Sequence, residues 1–143
     1  MWVQRVFIAI TGIAAILTSY AYGDDQKWIF LRKEFYSTYK DGKPEYFNLY
    51  YDPSSIRKGK NFLKDKVFIS VLLDESNVSY FNHLSQTQLL EVDCGARTIY
   101  RKAEHYYKEH MGLGQEIEAG MTEGGGPVAK GSWWDNVYDA VCG

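Results

Sequence analysis

The chain has 143 residues, with 16 Lys and Arg against 18 Asp and Glu, a net charge of −2 at pH 7, and 16% aromatic residues. That length accommodates one domain, and the slightly acidic balance excludes non-specific nucleic-acid binding, which needs a basic surface. The only cysteines are Cys94 and Cys142, and no CxxC motif occurs.

Residues 1–23 are expected to be a secretory signal peptide. Arg5 supplies the positive start, residues 6–17 are uncharged and mostly apolar, and small residues follow at Ser19, Ala21 and Gly23. Twelve apolar-core residues fall short of the roughly 20 that span a bilayer. No cysteine near the cleavage point could accept a lipid. The expectation is an exported domain over residues 24–143, periplasmic or secreted to the cell surface, neither lipid-anchored nor stably inserted in a membrane after signal cleavage. It keeps 120 residues and a net charge of −3. In an exported chain, two cysteines favour a disulfide over a metal or redox centre. Closing a 48-residue separation would contribute about 4 kcal/mol in the chain-entropy picture, a large share of a total near 5–15 kcal/mol.

Residues 27–39 form an aromatic, β-branched first strand. Asp41-Gly42 before Pro44 marks a turn, and Tyr46–Tyr51 is the second strand of a hairpin. Asp52-Pro53-Ser54-Ser55 should end that strand, because Pro53 cannot continue a ladder. Arg57, Lys58, Lys60, Lys64 and Lys66 then crowd a basic loop around Gly59. Val67–Leu73 alternates with period 2 and is apolar on both faces, as in a central strand. Residues 74–83 read as a loop carrying Tyr80 and Phe81. In 86–94, Leu90, Val92 and Cys94 share the apolar face, and 97–107 is a further strand. Residues 111–131 hold seven glycines and read as the longest irregular, most mobile stretch, with Ile117 in a short edge strand. Ser132 caps a final helix, with Asp135 at the capping-box position and Trp134, Val137, Tyr138 and Val141 as its apolar stripe.

Strands followed by one terminal helix give an α+β fold, an antiparallel sheet with the helix on one face. Catalytic chemistry finds little support. His105 and His110 would point to opposite faces of a strand, the HExxH spacing is absent, and His83 has no matching partner. No metal site, cofactor or enzymatic activity is expected. Gly125–Ser132 has Lys130 before Gly131, the wrong order for a phosphate loop. Tyrosine is enriched at binding surfaces, so Tyr36, Tyr39, Tyr46, Tyr50, Tyr80 and Phe81 are candidates for a recognition surface. The candidate ligand-binding set is Arg57, Lys58, Lys60, Lys64, Lys66, Tyr80 and Phe81.

Trp28, Tyr50-Tyr51-Asp52-Pro53-Ser54-Ser55-Ile56, Glu91-Val92-Asp93-Cys94, Arg101, Met111-Gly112-Leu113-Gly114 and Ala140-Val141-Cys142-Gly143 together resemble the surface-adhesin protein E family of Gram-negative bacteria. The resemblance runs over nearly all of residues 28–143. It implies a curved antiparallel sheet of about six strands with a C-terminal helix on its concave face, tethered by a Cys94–Cys142 disulfide. It also implies binding of host matrix and plasma proteins such as vitronectin, laminin and plasminogen. A periplasmic envelope-associated role with no host ligand is the alternative.

Overall fold

Two residues set the first hairpin. Asp41 and Gly42 both take positive φ, 53° and 74°, the conformation that a two-residue turn between twisted strands requires. They close β1 (Ile29–Lys40) onto β2 (Lys43–Lys58), with Lys40 opposite Lys43. The computed structural model describes residues 28–77, 82–117 and 124–143. The expected signal peptide, Tyr80 and Phe81 lie outside these residues.

β3 (Lys66–Glu75), β4 (Ser85–Asp93) and β5 (Thr98–Tyr107) follow, each antiparallel to its neighbour. The sheet runs in the order β1-β2-β3-β4-β5-β6. Two short strands share the far edge of β5: β6 (Glu116–Ile117) pairs with Tyr106 and Tyr107, and β7 (Gly124–Pro127) pairs with Thr98–Arg101. The glycine-rich stretch is therefore partly ordered sheet. A Cβ at Gly125 would stand 2.4 Å from both the Ile99 carbonyl oxygen and the Tyr100 ring, so glycine there lets β7 lie tight on β5.

Alternation sorts the strands into two faces. Phe47, Leu49, Val67, Ile69, Val71, Leu73, Leu90, Val92 and Ile99 are buried on one. There α1 (Trp133–Cys142) packs through Trp133, Trp134, fully buried Val137, Tyr138 and Val141. Ser132 caps it, accepting from the Asp135 N–H. Asp135 accepts in turn from the Gly131 N–H, one residue ahead of the expected box partner. The disulfide Cys94–Cys142 joins the helix to the end of β4, and the Tyr138 hydroxyl donates to the Cys94 carbonyl at 2.7 Å. Arg97 pairs with Asp135 and lies over the Tyr138 ring. Arg32 donates to the Gly131 carbonyl at 2.6 Å.

Three local readings are corrected. Pro53 does not end β2. The strand bulges between Asp52 and Arg57 and resumes to Lys58. Buried Asp52 accepts from the Ser54 N–H and hydroxyl, and Ser55 Oγ accepts from the Ser70 N–H, standing in for the ladder across the bulge. His83 is not a loop residue without a partner: it is buried, its ring packs edge-on against Tyr106, and its Nε2 lies 3.9 Å from Glu75. Finally, His110 lies beyond the end of β5, in a 3-10 turn, His110–Gly112, folded back over the helix-free face. His105 and His110 thus do not sit on one strand with opposed side chains.

Candidate functional site

The helix-free face of the β1–β2 hairpin carries an aromatic row. A one-residue bulge at Leu31 resets the alternation of β1, so Phe30, Lys33 and Phe35 stand opposite Tyr50, Asn48 and Tyr46. Phe30 meets Tyr50 edge-on at 5.6 Å between ring centres, and Phe35 meets Tyr46 at 5.7 Å. The Lys33 ammonium lies 4.2 Å from the Tyr46 ring centre, an attraction between a cation and the negative ring face. Phe30 is 54% and Phe35 58% exposed. Among the described residues β1 pairs only with β2, so its outer edge is open. Simple alternation places Phe30 and Phe35, five positions apart, on opposite faces; the bulge that unites them leaves no turn residue as a signal.

The basic residues expected to bind are spread along the β2–β3 connection. Arg57 and Lys58 end β2, Lys60 and Lys64 flank the 3-10 turn Asn61–Leu63, and Lys66 opens β3. Arg57 curls back to donate to the Ser54 and Ile56 carbonyls. Lys66 lies 2.9 Å from Asp93 and 3.5 Å from Glu91. The Asp93 bond holds the Lys66 ammonium above its usual range. The Ala96 N–H and then Lys66 hold the Asp93 carboxyl below its own. Lys58, Lys60 and Lys64 are exposed.

A polar network lies on the helix-bearing face, beyond the helix. Tyr36 donates to Glu75 at 2.7 Å, and Gln86 bridges toward Glu75 and Gln88. Gln88 donates to buried Glu104 at 3.3 Å, and Arg101 pairs with the same carboxylate at 2.6 Å. The extra residue Lys102 bulges β5 against Leu89 and Leu90, which brings Arg101 and Glu104, three apart, onto one face. Burial raises the Glu75 carboxyl, its bonds from Tyr36 and Gln86 opposing the rise. Burial and then Glu75 raise the Tyr36 hydroxyl, and burial lowers His83. These groups link β1, β3, β4 and β5 through side-chain bonds, while Gln88 Oε1 and Arg101 Nε are buried without a hydrogen-bond partner among the described residues.

The sequence model of the family described as Surface-adhesin protein E matches residues 36–143. The chain belongs to that family. Solved structures with the same fold are Haemophilus influenzae protein E in crystal form II (16% identity, 66% of this chain and 79% of that one, TM-score 0.58) and in its Se-Met form (15%, 76% and 92%, TM-score 0.58). Protein E from non-typeable Haemophilus influenzae is another (14%, 78% and 84%, TM-score 0.53). No curated sequence matches the chain at a significant level. Among the described residues, no helix is long and apolar enough to cross a membrane.

Proposed function

We propose that this surface-adhesin E-family protein is an exported, non-enzymatic binding protein that holds a host matrix or plasma protein at the β1–β2 hairpin. The observation that supports this surface is the open edge of β1 beside exposed Phe30 and Phe35. An unpaired strand edge offers backbone donors and acceptors to an incoming strand. Aromatic anchors contribute most of the affinity once a partner excludes water from them. Arg57, Lys58, Lys60, Lys64 and Lys66 enter as a steering surface. Lys66 adds least to that effect, because Asp93 and Glu91 offset its charge, whereas Arg57, bonded to neutral carbonyls, keeps its own beside Lys58, Lys60 and Lys64. Steering raises the association rate and fades with salt.

The test is binding of the purified protein to immobilised vitronectin, laminin and plasminogen at physiological salt. Saturable binding to one of them is expected, weakened about tenfold or more by Phe30→Ser with Phe35→Ser. Replacing Lys58, Lys60 and Lys64 by Gln should slow association at low salt and change little at high salt. Binding untouched by the phenylalanine changes would remove the hairpin from the account. A blank panel would move the reading to an envelope-associated role in the periplasm.

A further inference from the structure

The second feature of the helix-free face lies at the other side of the sheet. The β5–β6 connection, residues 108–115, folds back over β3–β5 instead of running clear of them. Asp74 accepts from the Met111 N–H at 2.8 Å, and His110 Nδ1 lies 3.0 Å from the same oxygen. Fully buried Ser85 donates to the Glu109 carbonyl at 2.5 Å and accepts from the Gly112 N–H at 2.9 Å. Met111, Gly112 and Gly114 all take positive φ, which lets the connection turn sharply above Leu72 and Thr87. Between this arch and Trp28 the sheet is left open as a cleft of about 670 Å³, within the range of roughly 300–1,000 Å³ usual for small-molecule sites.

We infer that this cleft binds a small organic cation carrying an apolar arm. Its apolar walls are Trp28, Leu89, Tyr107, Met111 and Leu113, and Ala103 leaves the floor hollow. Leu113 is 60% and Leu89 37% exposed, apolar area that a bound arm would cover. Glu116 stands at the rim, with His105 Nδ1 2.5 Å from its carboxylate. Among the described residues it supplies the only carboxylate of the lining, and neither Lys nor Arg lines the cleft. Trp28 and Tyr107 add ring faces, which attract cations. His105 takes Oε1 of that carboxylate, which leaves Oε2 to accept from a ligand ammonium. An anion would find His105 already committed to Glu116, and a neutral apolar molecule would leave Oε2 unused. Because Asp74 and Ser85 hold the arch in place, binding would cost little ordering. The cleft meets the hairpin row at Trp28, two residues before Phe30, whereas Leu113 and Glu116 lie outside that row, so changes at those two residues test the cleft alone.

The test is two-dimensional NMR of the purified, disulfide-bonded protein titrated with phenethylammonium, phenethyl alcohol and 3-phenylpropionate. Saturable shifts are expected at the Trp28 indole, the Ala103 and Met111 methyls and the Leu113 amide, strongest for the ammonium and weakest for the carboxylate. Glu116→Gln should weaken the ammonium about fivefold and leave the alcohol unchanged. Leu113→Ser, at an exposed position, should weaken both. No saturable shift in the cleft overturns the site, and equal binding of all three probes overturns the cation preference.

Discussion

At the residue scale, Glu75 shows what the polar network contributes and at which pH. Its folded carboxyl titrates above the unfolded value because burial disfavours the charged form. A group raised in this way contributes stability that is fully present below the unfolded value, near pH 4.5, and is lost as pH rises through the folded one. Glu75→Gln keeps an oxygen that can accept from Tyr36 but carries no charge. Near pH 8 the variant should melt at or above the wild-type temperature. As pH falls toward 4.5, the wild type should gain on it. Parallel melting curves across that range would mean that Glu75 is not held against its ionisation. Ser85 makes a simpler case. Ser85→Ala would remove the acceptor for Gly112 and the donor to Glu109, costing about 1–3 kcal/mol, and amide exchange over residues 109–113 should speed up with it.

At the element scale, regular alternation and punctuation made parts of the fold legible. Asp41-Gly42, the period-2 run of β3, the cap at Ser132 and the stripe through Val137 each fix local geometry from adjacent residues. The illegible parts depend on extra residues in the strands. The bulges at Leu31, after Asp52 and at Lys102 each change the count of residues between ladder partners. They decide that Phe30 joins Phe35, that β2 survives Pro53, and that Arg101 reaches Glu104. A bulge is fixed by the partner strand, which no local window contains. Glycine misled in the opposite direction: Gly125 is small because β7 presses on β5, not because the chain needs freedom there. Gly125→Ala should therefore destabilise the protein measurably, while a change at exposed Gly131, where φ is 80°, should act through strain alone. The helix makes the strongest prediction at this scale. Ten residues are too few for an isolated helix to persist, so Cys142→Ser should lower the melting temperature by about 10 °C. Equal melting of reduced and oxidised protein would remove the staple from the account.

At the scale of the whole molecule, the sheet separates the stabilising elements from the two surfaces proposed to bind. The helix, the disulfide, Arg97–Asp135 and the apolar core all lie on or beside one face. The aromatic row and the arched cleft use the other. Among the described residues the sheet itself couples them: Phe47 packs against Trp133 at 6.1 Å on the helix side, while Tyr46, its neighbour in the chain, packs against Phe35 on the opposite side. Release of the helix should thus act on the hairpin row only through global unfolding. Cys142→Ser, assayed well below its own melting temperature, should keep affinity for a host-protein ligand within about twofold, less than the roughly 1.4 kcal/mol that a tenfold change represents. The same variant assayed near its melting temperature should lose binding in step with its loss of near-ultraviolet circular dichroism. Loss of binding at low temperature with the sheet intact would instead place the helix, or its tether at Cys94, within the recognition surface, and the division of labour between the two faces would be wrong.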